Sequence, residues 1–219
     1  MNNLSPTIVR TVVAAATLFS AAVAAHAEGS VEAGKQKAEM CIGCHGIPGY
    51  QNSFPEIHKV PKISGQSDKY IVAALTAYKK GDRKHPTMRG IAGSLTDEDM
   101  ADLAAFYASQ ADKTAAETPK APAEAVKALL DKGACASCHG ANFSKPIDPT
   151  YPKLGGQHAD YLYVALKSYT VEGNRYVGRN NGVMAGIAKQ FNPNEMRELA
   201  KYLSTLDTEL KTVAQSRFK

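Results

Sequence analysis

Apolar residues recur along this chain at helical spacing, and they do so in two similar series. Ile71, Leu75 and Tyr78 share one face of a segment running from about Asp68 to Lys80, and Leu162, Leu166 and Tyr169 repeat that stripe further on. Met100, Leu103 and Phe106 form a later stripe, matched by Met196, Leu199 and Tyr202. Steps of three and four residues mark amphipathic helices, and no stretch alternates apolar and polar positions as a half-buried strand would. Start and stop signals agree with those stripes. Ser30 caps a helix that delivers Cys41, Gly81 stands just past the end of the 68–80 helix, and Thr96 with Asp99 three residues on resembles a capping box. In the second series Pro122 introduces a helix toward Cys135, and Asn192, Pro193 and Glu195 open the last one. The fold class is all-α.

The two series belong to an internal duplication. Pro61-Lys62-Ile63-Ser64-Gly65-Gln66 matches Pro152-Lys153-Leu154-Gly155-Gly156-Gln157, and Tyr70, Leu75, Tyr78, Gly81 and Arg83 match Tyr161, Leu166, Tyr169, Gly173 and Arg175. Met88 falls on Met184 and Gly90 on Gly186, with small insertions but unbroken order. Residues 111–124 carry two prolines and little that could fill a core, so they read as a surface connector. The predicted organisation is a first domain over 28–110, a linker over 111–124 and a second domain over 125–219. Each half is small, and small domains bury little apolar surface.

Both halves contain the same chemistry. Cys41-Ile42-Gly43-Cys44-His45 recurs as Cys135-Ala136-Ser137-Cys138-His139, and C-x-x-C-H is the attachment pattern of c-type haem. Two thiols one helical turn apart can each bond a porphyrin vinyl group while the adjoining imidazole reaches the iron. Zinc ribbons place their C-x-x-C pairs on the order of 15–20 residues apart, far closer than Cys44 and Cys135, and a thioredoxin-like dithiol wants a βαβ neighbourhood. Neither explains a histidine after the second cysteine in both copies. The chain is therefore read as holding two covalently bound haem c groups through Cys41, Cys44, Cys135 and Cys138. Because so small a domain gains most of its apolar interior from the macrocycle, the haem-free chain is expected to be largely unfolded.

The iron ligand opposite His45 or His139 decides whether a centre carries electrons or binds substrate. A methionine there closes the iron, raises its potential relative to a second histidine and suits electron transfer. Met40 abuts Cys41, and Met100 and Met196 sit on the apolar stripe of the last helices, where methionine is ordinary core filler. Met88 and Met184 remain, at matching positions in the segments His85 to Gly90 and Asn181 to Gly186, which read as irregular loops. His58, His85 and His158 are the rival ligands, and an exposed polar role is expected of all three. A ligating imidazole donates its other N–H to a nearby acceptor. The Pro61 and Pro152 carbonyls are placed for that, and Arg83 and Arg175 are candidates to hold haem carboxylates.

At the N-terminus, Arg10 precedes the apolar run Thr11 to Ala25, and Ala25-His26-Ala27 gives a small-x-small cleavage pattern. Residues 1–27 read as a cleaved export signal, with an uncleaved anchor as the alternative. Past Glu28 no run approaches the roughly 20 apolar residues of a membrane helix. Export places the chain in the periplasm, where derivatised thiols belong. Charge is uneven. Residues 28–110 hold ten Lys and Arg against ten Asp and Glu, whereas residues 125–219 hold thirteen against eight, a net +5. The second half would thus be steered toward an acidic partner surface. Nucleic acid is not a predicted partner, since the basic residues are scattered and form no nucleic-acid module. Peripheral membrane contact stays open.

With two C-x-x-C-H sites, paired Pro-Lys-Ile/Leu-x-Gly-Gln segments and a Met-x-Gly-Ile-Ala stretch in each half (Met88 to Ala92, Met184 to Ala188), the chain resembles cytochrome c4, the two-haem member of the class I cytochromes c. The likeness runs from about Ser30 to Leu206. It implies two class I cytochrome c domains about a pseudo-two-fold axis, His/Met ligation through His45 with Met88 and His139 with Met184, and hydrogen bonds from the two histidines to Pro61 and Pro152. It also implies a periplasmic electron carrier, not an enzyme, delivering electrons in a respiratory chain toward a terminal oxidase. The alternatives are the haem subunit of a dehydrogenase complex or a dihaem peroxidase. One departure is the segment Gly46 to Val60, with Tyr50, Phe54 and His58, which is longer than its counterpart Gly140 to Tyr151.

Overall fold

The computed structural model describes residues 29–115, 120–140 and 142–214, so the expected export signal and the middle of the expected linker lie outside the described residues. In the first half α1 (Val31–Lys37) and α2 (Glu39–His45) are separated only by Ala38, and α3 (Asp68–Lys80), α4 (Pro86–Ser94) and α5 (Asp97–Ser109) follow. The second half has α6 (Glu124–Lys132), α7 (Cys135–His139), α8 (Ala159–Ser168), α9 (Gly182–Ala188) and α10 (Pro193–Ser204). Four two-residue strands complete the picture: β1 (Gln51–Asn52) pairs antiparallel with β2 (His58–Lys59), and β3 (Arg83–Lys84) with β4 (Gly178–Arg179). The β3–β4 ribbon joins the two halves.

Local chemistry accounts for the helix ends. The Ser30 hydroxyl accepts the Ala33 N–H, Gly81 closes α3 in the left-handed conformation, and capping boxes open α5 (Thr96 with Asp99) and α10 (Asn192 with Glu195). Helix α1 crosses α5 so closely that a β-carbon on Gly34 would stand 2.0 Å from the Asp102 carbonyl oxygen. Asp102 also accepts from the Ser30 N–H and from Lys37, whose ammonium reaches Asp99 as well. The interiors are unequal. Ala38, Ile42, Ile71, Leu103, Ala104 and Tyr107 form the main apolar cluster of the first half, with Tyr78, Ala92 and Met100 buried besides. The cluster of the second has twelve residues, among them Leu130, Phe143, Leu162, Phe191, Met196, Leu199 and Leu203. Tyr107 is buried where the helical stripe had pointed to Phe106, which is half-buried against its ring.

The duplicated Pro-Lys-Ile/Leu-x-Gly-Gln segments meet across the seam and bind each other reciprocally. Gln66 donates to the Lys153 carbonyl and accepts the Lys153 N–H, while Gln157 donates to the Lys62 carbonyl and accepts the Lys62 N–H. The two ammonium groups cross as well, Lys62 to the Gly156 carbonyl and Lys153 to that of Gly65. Each member of the pair does to its partner what its partner does to it, which is the mark of a two-fold relation. Two features break the symmetry. The longer first-half segment lies on α8, with Lys59 bound to Asp160 and Glu56 to Lys167. Past α10 the chain also returns to the first half, where Lys211 bridges Ser64, Glu209 accepts from the Asp112 N–H and pairs with Lys153, and Gly65, at φ +87°, lies against the Glu209 carbonyl.

Candidate functional site

The first motif lies on α2. Residues at i and i+3 share a helix face, so Cys41 and Cys44 present both half-buried, free thiols on one side. Burial pushes the Cys41 thiol pKa up, and the buried Tyr107 hydroxyl beside it has no hydrogen-bond partner. His45 ends the helix with Nδ1 2.9 Å from the Pro61 carbonyl oxygen. A carbonyl can only accept, so Nδ1 carries the proton and Nε2 keeps its lone pair. Burial lowers the His45 pKa, and the Arg83 charge lowers it further, which keeps the ring neutral and able to ligate.

The second motif repeats this arrangement on α7, where Cys135 and Cys138 are again free and half-buried. Buried His139 places Nδ1 2.9 Å from the Pro152 carbonyl oxygen, and burial lowers its pKa too. The approach differs from the first half. Gly133 ends α6, and Ala134 takes φ +46° before α7 begins, a left-handed turn that a residue with a β-carbon rarely adopts.

Met88 and Met184 are placed by helices rather than by the irregular loops the glycines and prolines had suggested. Each is the third residue of a short helix, Met88 in α4 after the cap His85 and Met184 in α9 after the cap Asn181. The His85 ring accepts the Met88 N–H at 3.4 Å, and the Asn181 side chain accepts the Met184 N–H at 3.0 Å. Both methionines are half-buried. The other described methionines differ from them: Met100 and Met196 are 1% and 4% exposed in the cores, and Met40 is 56% exposed. The expectation that the three other histidines are exposed is corrected. His58 is buried with Nδ1 on the Glu56 carbonyl, His85 is a half-buried cap, and His158 precedes α8 half-buried. Each segment is pressed against a neighbouring element that sequence spacing does not reveal.

Arg175 is exposed, stacked on Tyr176, and is not the counterpart of Arg83. The antiparallel register pairs Arg83 with Arg179. Arg83 Nη1 and Nη2 donate to the Tyr70 and Tyr161 hydroxyls, while its buried Nε has no partner. Sequence comparison missed Arg179 because both arginines follow the same helix and an insertion of four residues separates the candidates.

These groups fit haem c. Each half supplies a pair of free thiols one turn apart, a neutral imidazole with Nε2 available and a half-buried thioether, and orphaned polar atoms at Arg83 and Tyr107 flank the first set. Among the described residues no group of three or more His, Cys, Asp or Glu could hold a bare metal ion, which leaves the zinc reading without a site. The cytochrome c family profile matches residues 31–111 and again 123–207. Cytochrome c4 of Stutzerimonas stutzeri is 32% identical over 83% of this chain and 91% of its own length.

The chain belongs to the cytochrome c4 family. A solved cytochrome c4 structure from Acidithiobacillus ferrooxidans matches with a TM-score of 0.60 at 28% identity, covering 77% of this chain and 99% of that one. A protein of Thiomonas intermedia called a thiosulfate dehydrogenase electron acceptor is 29% identical over 89% of this chain and 90% of its own. Like the cytochromes c4, this chain consists of two tandem cytochrome c domains, carries two covalently bound haem c groups and transfers electrons. No described helix is long and apolar enough to cross a membrane.

The seam between the domains is expected to weaken in acid. Burial and the nearby Lys62 charge bring the His158 pKa down to about 4, against 6.5 when unfolded. Between those values the unfolded chain binds the proton and the folded one does not, so stability falls as pH drops from 6.5 to 4. His158→Gln is expected to flatten that slope in thermal melts taken at pH 7 and pH 5, and an unchanged slope would assign the acid sensitivity to other groups.

Proposed function

We propose that this cytochrome is a periplasmic electron carrier with two closed irons, His45 and Met88 ligating one and His139 and Met184 the other. Cys41 and Cys44, and Cys135 and Cys138, hold the two macrocycles as thioethers. When bound, haem supplies one-electron chemistry at iron. The protein's own residues hold the ligands still: the Pro61 and Pro152 carbonyls fix each ring's tautomer and orientation, and the His85 and Asn181 caps fix the backbone of each methionine. The observation that carries this reading is the matched pair of imidazole-to-proline contacts at 2.9 Å in both halves. Held this way, the ligating residues would have little to rearrange during the one-electron chemistry that bound haem would supply. The linker spans 111–124, with the domains on either side.

Electrons arrive from a periplasmic dehydrogenase or respiratory donor and leave toward a terminal oxidase, the basic second domain meeting an acidic partner surface. The relative described as a dehydrogenase's electron acceptor supports a donor of that kind. The reading requires that the denatured, purified chain weigh two haem groups more than its mature amino acids and that the fully reduced protein bind no carbon monoxide. Prompt stoichiometric binding at either haem, or peroxide turnover, would replace a carrier with an enzyme.

A further inference from the structure

The segment between the first haem motif and Pro61 is longer than its counterpart, and it folds into the hairpin β1–β2. Its turn reaches the cap of the helix that carries Met88. Phe54 meets the His85 ring edge-on, with ring centres 6.0 Å apart and planes at 80°, and the Asn52 carboxamide nitrogen lies 3.4 Å from His85 Nε2. The Asn52 oxygen accepts the Phe54 N–H at 2.7 Å, a local turn that sets where the Phe54 ring points.

Imidazole chemistry makes His85 a two-sided connector. Burial lowers its pKa, so the ring is uncharged at neutral pH, with one nitrogen accepting and the other donating. Nδ1 accepts the Met88 N–H, so Nε2 carries the proton. That side faces the hairpin, where the Phe54 main chain is the acceptor and the Asn52 amide nitrogen only packs against the ring. The hairpin is anchored in turn on α8 of the second half. Lys59 reaches Asp160 through its N–H and its ammonium, each at 3.1 Å, and Glu56 pairs with Lys167 at 2.9 Å. The first turn of α4 is thus tied through one ring to an element fixed on the other domain. The second half is built differently. Its segment 140–151 contains no strand among the described residues, and its cap is Asn181, whose short carboxamide holds the Met184 N–H.

We propose that His85, Asn52 and Phe54 brace the Met88 helix, so that the longer first-half segment holds this sulfur against displacement in addition to the helix's own cap. The inference rests on the His/Met reading above and adds to it three positioning residues that act on one haem alone. For a competing ligand to take the iron, the methionine must swing out and draw the first turn of α4 with it. That movement breaks the contacts on both sides of His85, whereas at the second haem it breaks the cap only. Without the brace, opening the first iron costs less.

The test adds imidazole, a competing nitrogen ligand, to the ferric haem-loaded protein and follows the iron-bound methionine methyl signals by NMR. Each signal is assigned by its disappearance in Met88→Ala or Met184→Ala. Phe54→Ala, Asn52→Ala and His85→Asn should each cut the imidazole concentration that displaces half of the Met88 sulfur about three- to tenfold. That is the order expected for one neutral hydrogen bond or ring contact, and the value for Met184 should stay as it was. His85→Asn discriminates most sharply, because asparagine keeps the cap on the Met88 N–H and gives up the hairpin. Ile57→Ala, at a side chain 69% exposed in the same segment, should change nothing. Variants that move neither haem, or both alike, overturn the brace. If Asn52→Ala yields no holoprotein, Phe54→Ala and His85→Asn decide by the same criterion. Absence of the two methyl signals from the unaltered protein would sink the His/Met reading itself, whereas two normal signals with unmoved variants sink only the brace.

Discussion

Replacing Cys41 and Cys44 together by alanine is expected to yield a chain one haem lighter whose first domain no longer melts cooperatively. The reason lies in its interior. Its main apolar cluster is Ala38, Ile42, Ile71, Leu103, Ala104 and Tyr107, two of them alanines, whereas the cluster of the second domain has twelve residues around Phe143, Leu162 and Leu203. Fully burying a large side chain contributes about 1.5–3 kcal/mol, and a domain with so few of them depends on whatever else fills its centre. Cys41 packs against that cluster beside the buried Tyr107, so a ring tethered there is expected to extend it. The matching change, Cys135→Ala with Cys138→Ala, is expected to leave more residual structure, since α8 and α10 already pack a continuous apolar interface. Mass spectrometry of the denatured chains, limited proteolysis and circular dichroism melts read both variants. Equal melting of the two domains in both would show that haem is not the stabilising element of the first.

Opening one iron gives the second large effect. Met88→Ala or Met184→Ala is expected to turn a protein that binds no carbon monoxide when reduced into one that binds one molecule per chain, and to lower the potential of the altered haem. Both methionines lie in the first turn of a helix whose cap holds the methionine's own N–H, so truncation removes the proposed ligand without unmaking the helix. Met100→Ala and Met196→Ala delete fully buried side chains instead. Those should cost about 2–5 kcal/mol of stability and leave the ferric spectrum as it was. A spectrum that changes with Met100 or Met196 and not with Met88 or Met184 would reverse the ligand assignment.

Much of this protein is readable from sequence because the relevant chemistry is local. Two thiols and an imidazole within five residues state their purpose by spacing alone. The stripe of Ile71, Leu75 and Tyr78 specifies a helix by period, and Thr96 with Asp99 specifies its neighbour's start by hydrogen-bond geometry within four residues. The repeat is equally plain, since order and spacing survive duplication. Reading Met88 and Met184 as loop residues failed for a local reason too: Pro86 and Gly182 stand at the first helical position, which tolerates them, and Gly90 and Gly186 are carried inside the helices.

Sequence by itself determined the two attachment motifs, the helical class and the doubling, all of which depend on neighbours within a turn or two of chain. Tertiary structure alone decided what the doubled parts do to each other. It set Lys62 against Gln157 and Lys153 against Gln66, chose Arg179 over Arg175, buried His58 beneath α8 and brought Glu209 and Lys211 back onto the first domain. These contacts join residues some ninety or more positions apart, and the energies that select them come from burying and pairing polar groups at a seam that exists only once both domains have folded.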